Sequence, residues 1–133
     1  MISIYEEYLR MPMSLSIEEM AALHREMANE VGDDKEALEF YEEIMDAAAR
    51  YMEFRSHWNL WSREERREKD SNRTSSHDSL ITKLNMLARY LRNQGKAASW
   101  RDALGDVKED PNIRKRIGDF GCYLAFVSGL HAR

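Results

Sequence analysis

Residues 33–61 read DDKEALEFYEEIMDAAARYMEFRSHWNLW, and the spacing of their apolar side chains decides the fold class. Phe40, Ile44, Ala47, Tyr51, Phe54, Trp58 and Trp61 recur in alternating steps of four and three, and Leu38, Tyr41, Met45, Ala48 and Met52 form a second seam beside them. A period near 3.5 belongs to helices packed side by side, knobs into holes, and not to a helix laid on a sheet. Two seams on one helix predict neighbours on more than one side. Asp33 and Asp34 stand where N-caps belong. The charged run Arg63–Asp70 reads as a solvated continuation, with Glu65 and Lys69 paired four apart. The expectation is therefore one long central helix over about 34–69.

Towards the N-terminus, Ser16 and Glu19 form a capping box ahead of Met20, Met27 and Val31, and Gly32 stops the turn, which predicts a helix over 17–31. Ile4 to Met11 reads as a short helix closed by Pro12. Beyond the central helix, Ser71–Ser76 (SNRTSS) reads as a loop, so 63–76 is taken as a charged helix end plus a loop. Ser75 with Asp78 makes another capping box, opening a third helix with Leu80, Ile81, Leu84, Leu87, Ala88 and Leu91 in one stripe and Gly95 at its end. Ser99 with Asp102 opens a short helix, Trp100 to Leu104, closed by Gly105. Asp110 and Pro111 start a last helix over about 111–131, with Ile113, Ile117, Phe120, Leu124, Val127 and His131 in line. Beside that line run Gly118, Gly121, Ala125, Ser128 and Gly129; a mid-helix glycine costs about 1 kcal/mol against alanine, so another helix must approach closely there. No segment alternates with a strand's period of two. The prediction is an all-α bundle of about five helices, a single domain over 1–133 with a buried C-terminal helix.

Composition narrows the class of function. With 43% hydrophobic and 10% aromatic residues in 133, the chain has a core to bury and is too apolar for disorder. A single cysteine, Cys122, excludes a disulfide framework and paired-cysteine zinc sites, and its apolar surroundings suggest an inert thiol. The densest apolar stretch, Phe120–Leu130, falls far short of the roughly 20 residues of a membrane span. Met1–Met11 has neither a basic leader nor an apolar run, so a cytoplasmic location and no membrane partner are expected. Residues 1–54 hold fourteen Asp/Glu against four Lys/Arg, and residues 55–133 hold ten against sixteen: −10 and +6. The acidic half is expected to lie against the basic half, within one chain or between two. The same acidic half would repel a nucleic-acid backbone, so nucleic acid is an unlikely partner.

No phosphate loop, zinc-protease helix or nucleophile elbow occurs. His24, His77 and His131 project onto apolar faces, and each imidazole needs a partner; no His-x-x-x-His or Glu-x-x-His spacing ties them into a metal site, and no metal or cofactor is assigned. Glu39, Glu42, Glu43 and Asp46, with Glu64, Glu65 and Glu68 further on, have magnesium-compatible spacing, yet that pattern is ordinary on a solvated helix. The polar flank of the third helix is more informative. Arg73, His77 and Asp78 lie at its start, with Thr82, Asn85, Arg89 and Arg92 along its edge and Trp100 after it. This set suggests an anion held by arginines against an aromatic wall, with His77 carrying a proton and Asp78 orienting it as catalytic candidates, and Arg73, Asn85, Arg89 and Trp100 binding ligand.

Two functions follow from different classes. The first is association, as a homodimeric regulatory or adaptor module, from the surplus of apolar seam. The second is a protein or enzyme that binds a small anion or nucleotide at the start of the third helix. The surroundings of His77 discriminate: a closed core favours the first and an open cleft the second.

Overall fold

The computed structural model describes residues 14–57, 60–105 and 111–131, and among them there are five helices and no strand. These are α1 (Ile17–Val31), α2 (Lys35–His57), α3 (Arg63–Asn93), α4 (Ser99–Leu104) and α5 (Pro111–His131). The all-α bundle is as the periodicity requires. The segment Ile4–Met11 and the cap residue Asp110 lie outside the described residues.

α1 begins at the expected box: Ser16 Oγ accepts from the Glu19 amide at 3.0 Å, and the Glu19 carboxylate accepts from the Ser16 amide at 3.0 Å. Gly32 ends it with φ +53°, a conformation in which a side chain is strained. Asp34 caps α2, its Oδ1 accepting from the amides of Glu36 and Ala37 at 3.0 and 3.2 Å.

The central helix is where expectation and structure part. α2 stops at His57, and a new helix starts at Arg63 behind Ser62. Ser62 and Glu65 form a full capping box, with reciprocal bonds of 3.1 Å. The long helix over 34–69 is therefore two helices, and the longest element is α3, 31 residues or about 46 Å. Ser71–Ser76 is helix interior and not a loop, and the Ser75–Asp78 box does not form. Two S-x-x-[DE] signals compete, and the earlier one wins because helix growth is cooperative once nucleated. Ser99 and Asp102 do not make a box either: Ala98 occupies the N-cap of α4 with no side-chain bond, in the left-handed conformation (φ 49°, ψ 42°).

α2 is still the spine. Its contacts are most extensive with α3 and α5, which cover most of both seams among the described residues, although Leu38 stays 38% exposed. Ala37, Ile44, Ala47, Ala48 and Met52 are buried on α2, facing a core that includes Leu80, Leu84, Leu87 and Leu91 of α3 and Ile117, Phe120 and Leu124 of α5. The glycines of α5 explain its closeness to α2 and α3: a Cβ at Gly118 would stand 2.6 Å from the Tyr51 hydroxyl and 3.1 Å from Arg55 of α2, while one at Gly121 would collide with Leu80 of α3. Among the described residues no helix is long and apolar enough to cross a membrane.

Candidate functional site

Two polar constellations stand inside this frame. The first is closed. Asp119, between Gly118 and Phe120 on the apolar stretch of α5, is fully buried. The Arg55 guanidinium of α2 stands against Oδ1 as an ion pair without hydrogen-bond alignment, while Oδ2 accepts from the Ser14 amide at 2.6 Å and the Ser14 hydroxyl at 2.7 Å. Tyr51 lies beside Arg55, and burial raises its phenol above the usual range. Its ring meets His77 edge-on at 5.3 Å between centroids. Burial pushes the Cys122 thiol up to about 12, so it stays protonated and unreactive. His77 is itself buried, at 7% exposure, as is Asp119, while Ser14 at the edge is exposed.

The second is open. α3 ends against the α1–α2 turn, where the Tyr90 hydroxyl donates to Asp34 at 2.7 and 2.9 Å. That bond first, and burial second, raise the Tyr90 phenol to about 12. The chain then turns into α4, which is fastened to carboxylates of α1: Glu30 accepts from the Trp100 indole at 2.7 Å and from the Ala98 amide at 3.0 Å. Lys96 donates to the Glu30 carbonyl, and Ser99 donates to Glu26. The acidic half thus meets the later half largely through hydrogen bonds from neutral donors, with Lys83–Glu43 at 3.4 Å a surface ion pair between them.

Between α3 and α4 lies a cleft of about 510 Å³, lined by Asn85, Ala88, Arg89, Arg92, Asn93, Arg101, Asp102 and Gly105. The α3 contributors are spaced three, four, seven and eight apart, one face of a helix. Arg101 is buried at 5% exposure, its Nε donating to Asn85 Oδ1 at 2.7 Å and its Nη1 to the Gly105 carbonyl at 2.6 Å. Arg92 donates to the carbonyls of Ala97 and Ala98 at 3.2 and 3.3 Å and to Asp102 at 2.7 Å. Arg89 is exposed and has no hydrogen-bond or ion-pair partner among the described residues. Among the described residues, three guanidinium groups face one carboxylate here. Two are locked by main-chain and amide oxygens, and one is left to move.

The expected site residues fall into two groups. Asn85 and Arg89 line the cleft. Arg73, His77 and Asp78 do not: the twelve residue steps from His77 to Arg89 span about 18 Å of helix. Arg73 pairs with Asp70 at 3.4 Å, Asp78 is exposed, and His77 belongs to the closed core. Trp100 is fully buried behind the cleft, with its indole turned to Glu30, so it is no aromatic wall. His24 bonds Tyr41 at 2.7 Å in a separate place, and the His131 side chain lies outside the described ones. Glu39, Glu42, Glu43, Asp46, Glu64, Glu65 and Glu68 are all exposed. Among the described residues, no three His, Cys, Asp or Glu side chains gather as a metal would need. Arg101, Asn93 and Asp102 were not anticipated as site residues. Arg101 alone carried a signal, as a cation between Trp100 and Leu104 in a short apolar turn.

Comparison with known protein families, with curated proteins and with solved structures finds no match to this chain.

Proposed function

We propose that the chain is a small-molecule-binding protein whose cleft between α3 and α4 takes an anion. The observation that carries this is the arginine triad Arg89, Arg92 and Arg101 around a cleft of about 510 Å³ with one carboxylate, Asp102, among its lining. Planar guanidinium forks match phosphate and carboxylate oxygens in pairs. Arg92 and Arg101 are positioned in advance by protein oxygens, which lowers the ordering cost of binding. A cytoplasmic location is part of the proposal, in keeping with a lone, protonated, buried thiol.

The test is a thermal-shift panel of phosphorylated and carboxylated metabolites on three proteins. A stabilising anion is expected for the wild type and for Arg73→Ala, whose site lies about 24 Å along the helix from Arg89, and is expected to be lost in Arg89→Ala. A panel that leaves the wild type unmoved, or a shift that survives Arg89→Ala, counts against the cleft.

Self-association is a second reading, and the burial of His77 favours it. It is supported by large apolar side chains left exposed, Leu60 at 68%, Ile17 at 52% and Met86 at 42%. Light scattering across micromolar concentrations decides it: a constant mass near 16 kDa removes the homodimer.

A further inference from the structure

Resting on that reading of the cleft, we infer that its ligand is a compact polyanion, with two or more phosphate or carboxylate groups on a small polar skeleton, and not a nucleotide. A nucleobase is held by a ring stacked on its face or by an apolar slot. The described lining of this cleft has neither: Ala88 is its one apolar side chain, and no aromatic ring lines it. The rings nearest in sequence are committed elsewhere. Trp100 is fully buried on Glu30. The Tyr90 hydroxyl is bound to both oxygens of Asp34, and its ring lies edge-on to Phe40 at 5.7 Å. An arginine face stacks on a base when it is free to lie flat. Arg92 and Arg101 are held by hydrogen bonds along their edges, so the protein and not a base sets their orientation, and they bring fixed positive charge to the cleft.

The same bonds say what the cleft reads. Asn85 spends its oxygen on Arg101, which leaves its amide NH₂ as a further donor beside the arginines. Asn93 adds a second amide to the rim. The recognition chemistry is therefore donor-rich and cationic, suited to closely spaced oxyanions with hydroxyl groups between them.

The experiment is isothermal titration calorimetry of the full chain at low ionic strength, with tripolyphosphate, citrate, ATP and adenosine as probes, repeated on Arg89→Ala. The expected result has three parts: tripolyphosphate or citrate binds no more than about fivefold more weakly than ATP, adenosine gives no heat of binding, and Arg89→Ala weakens each bound anion about tenfold or more. Which of tripolyphosphate and citrate binds tells phosphate from carboxylate. If ATP binds more than about fivefold tighter than both, or adenosine binds alone, a base is being read; the polyanion inference then falls while the cleft stands. If none of the four binds saturably, or Arg89→Ala changes nothing, the cleft reading falls with it.

Discussion

Asp119 illustrates how one side chain imposes order on its surroundings. It sits on the most apolar helix, fully buried, with Arg55 on one oxygen and Ser14 on the other. A buried pair of this kind adds little over apolar packing, but removing one partner strands the other. Asp119→Ala is therefore expected to lower stability by about 3–5 kcal/mol in urea unfolding, and Arg55→Met placed with Asp119→Leu to recover most of that loss. Tyr90 supplies a pH dependence. Its folded phenol titrates at about 12, above its ordinary value of 10.0, because it donates to the Asp34 carboxylate. This contribution is whole below pH 10 and drains away as pH rises towards 12. The same bond lowers the Asp34 carboxyl, so its contribution holds at neutral pH and fades on acidification through the folded value. Tyr90→Phe should flatten both slopes in stability measured across pH. Neither Asp119 nor Glu30 was legible as a hub beforehand. A carboxylate's burial depends on which distant donor arrives, and Ser14 stands 105 positions from Asp119.

At the scale of the element, what could be read locally was read well. The α1 capping box, the Asp34 cap, the α3 stripe from Leu80 to Leu91 and the start of α5 at Pro111 all follow from neighbours within one or two turns. The boundary between α2 and α3 did not, because the apolar period runs unbroken through Trp58 and Trp61 and hides the Ser62–Glu65 box. Polar composition then made Ser71–Ser76 look like a loop, although a solvated helix face tolerates the same residues. Paired substitutions separate the two readings. Ser62→Ala should cost about 1 kcal/mol as a lost cap, whereas Ser75→Ala, mid-helix and exposed, should be neutral or stabilising by a few tenths of a kcal/mol. Chemical denaturation of the two variants side by side checks this.

Across the whole molecule, the sequence pattern reaches one side of the cleft: Asn85 and Arg89 stand at the edge of the α3 stripe and line it. Arg101 could not be joined to them, since the turn that folds α4 back depends on Glu30, some seventy residues earlier. The direction of the Trp100 indole is hidden in the sequence for the same reason, since its distant partner Glu30 decides it. The long-range staple makes a further prediction. Glu30→Ala removes the acceptor of the Trp100 indole and of the Ala98 amide, and should lower stability by about 2–4 kcal/mol in thermal unfolding. It should also weaken any anion that Arg101 helps to hold.

Ala98 keeps a left-handed backbone without being glycine, at a strain of about 1–2 kcal/mol, and its N–H is one of the donors that tether α4 to α1. The deuterium uptake of this single amide therefore times the opening of that tether, and an anion bound between α3 and α4 should slow it.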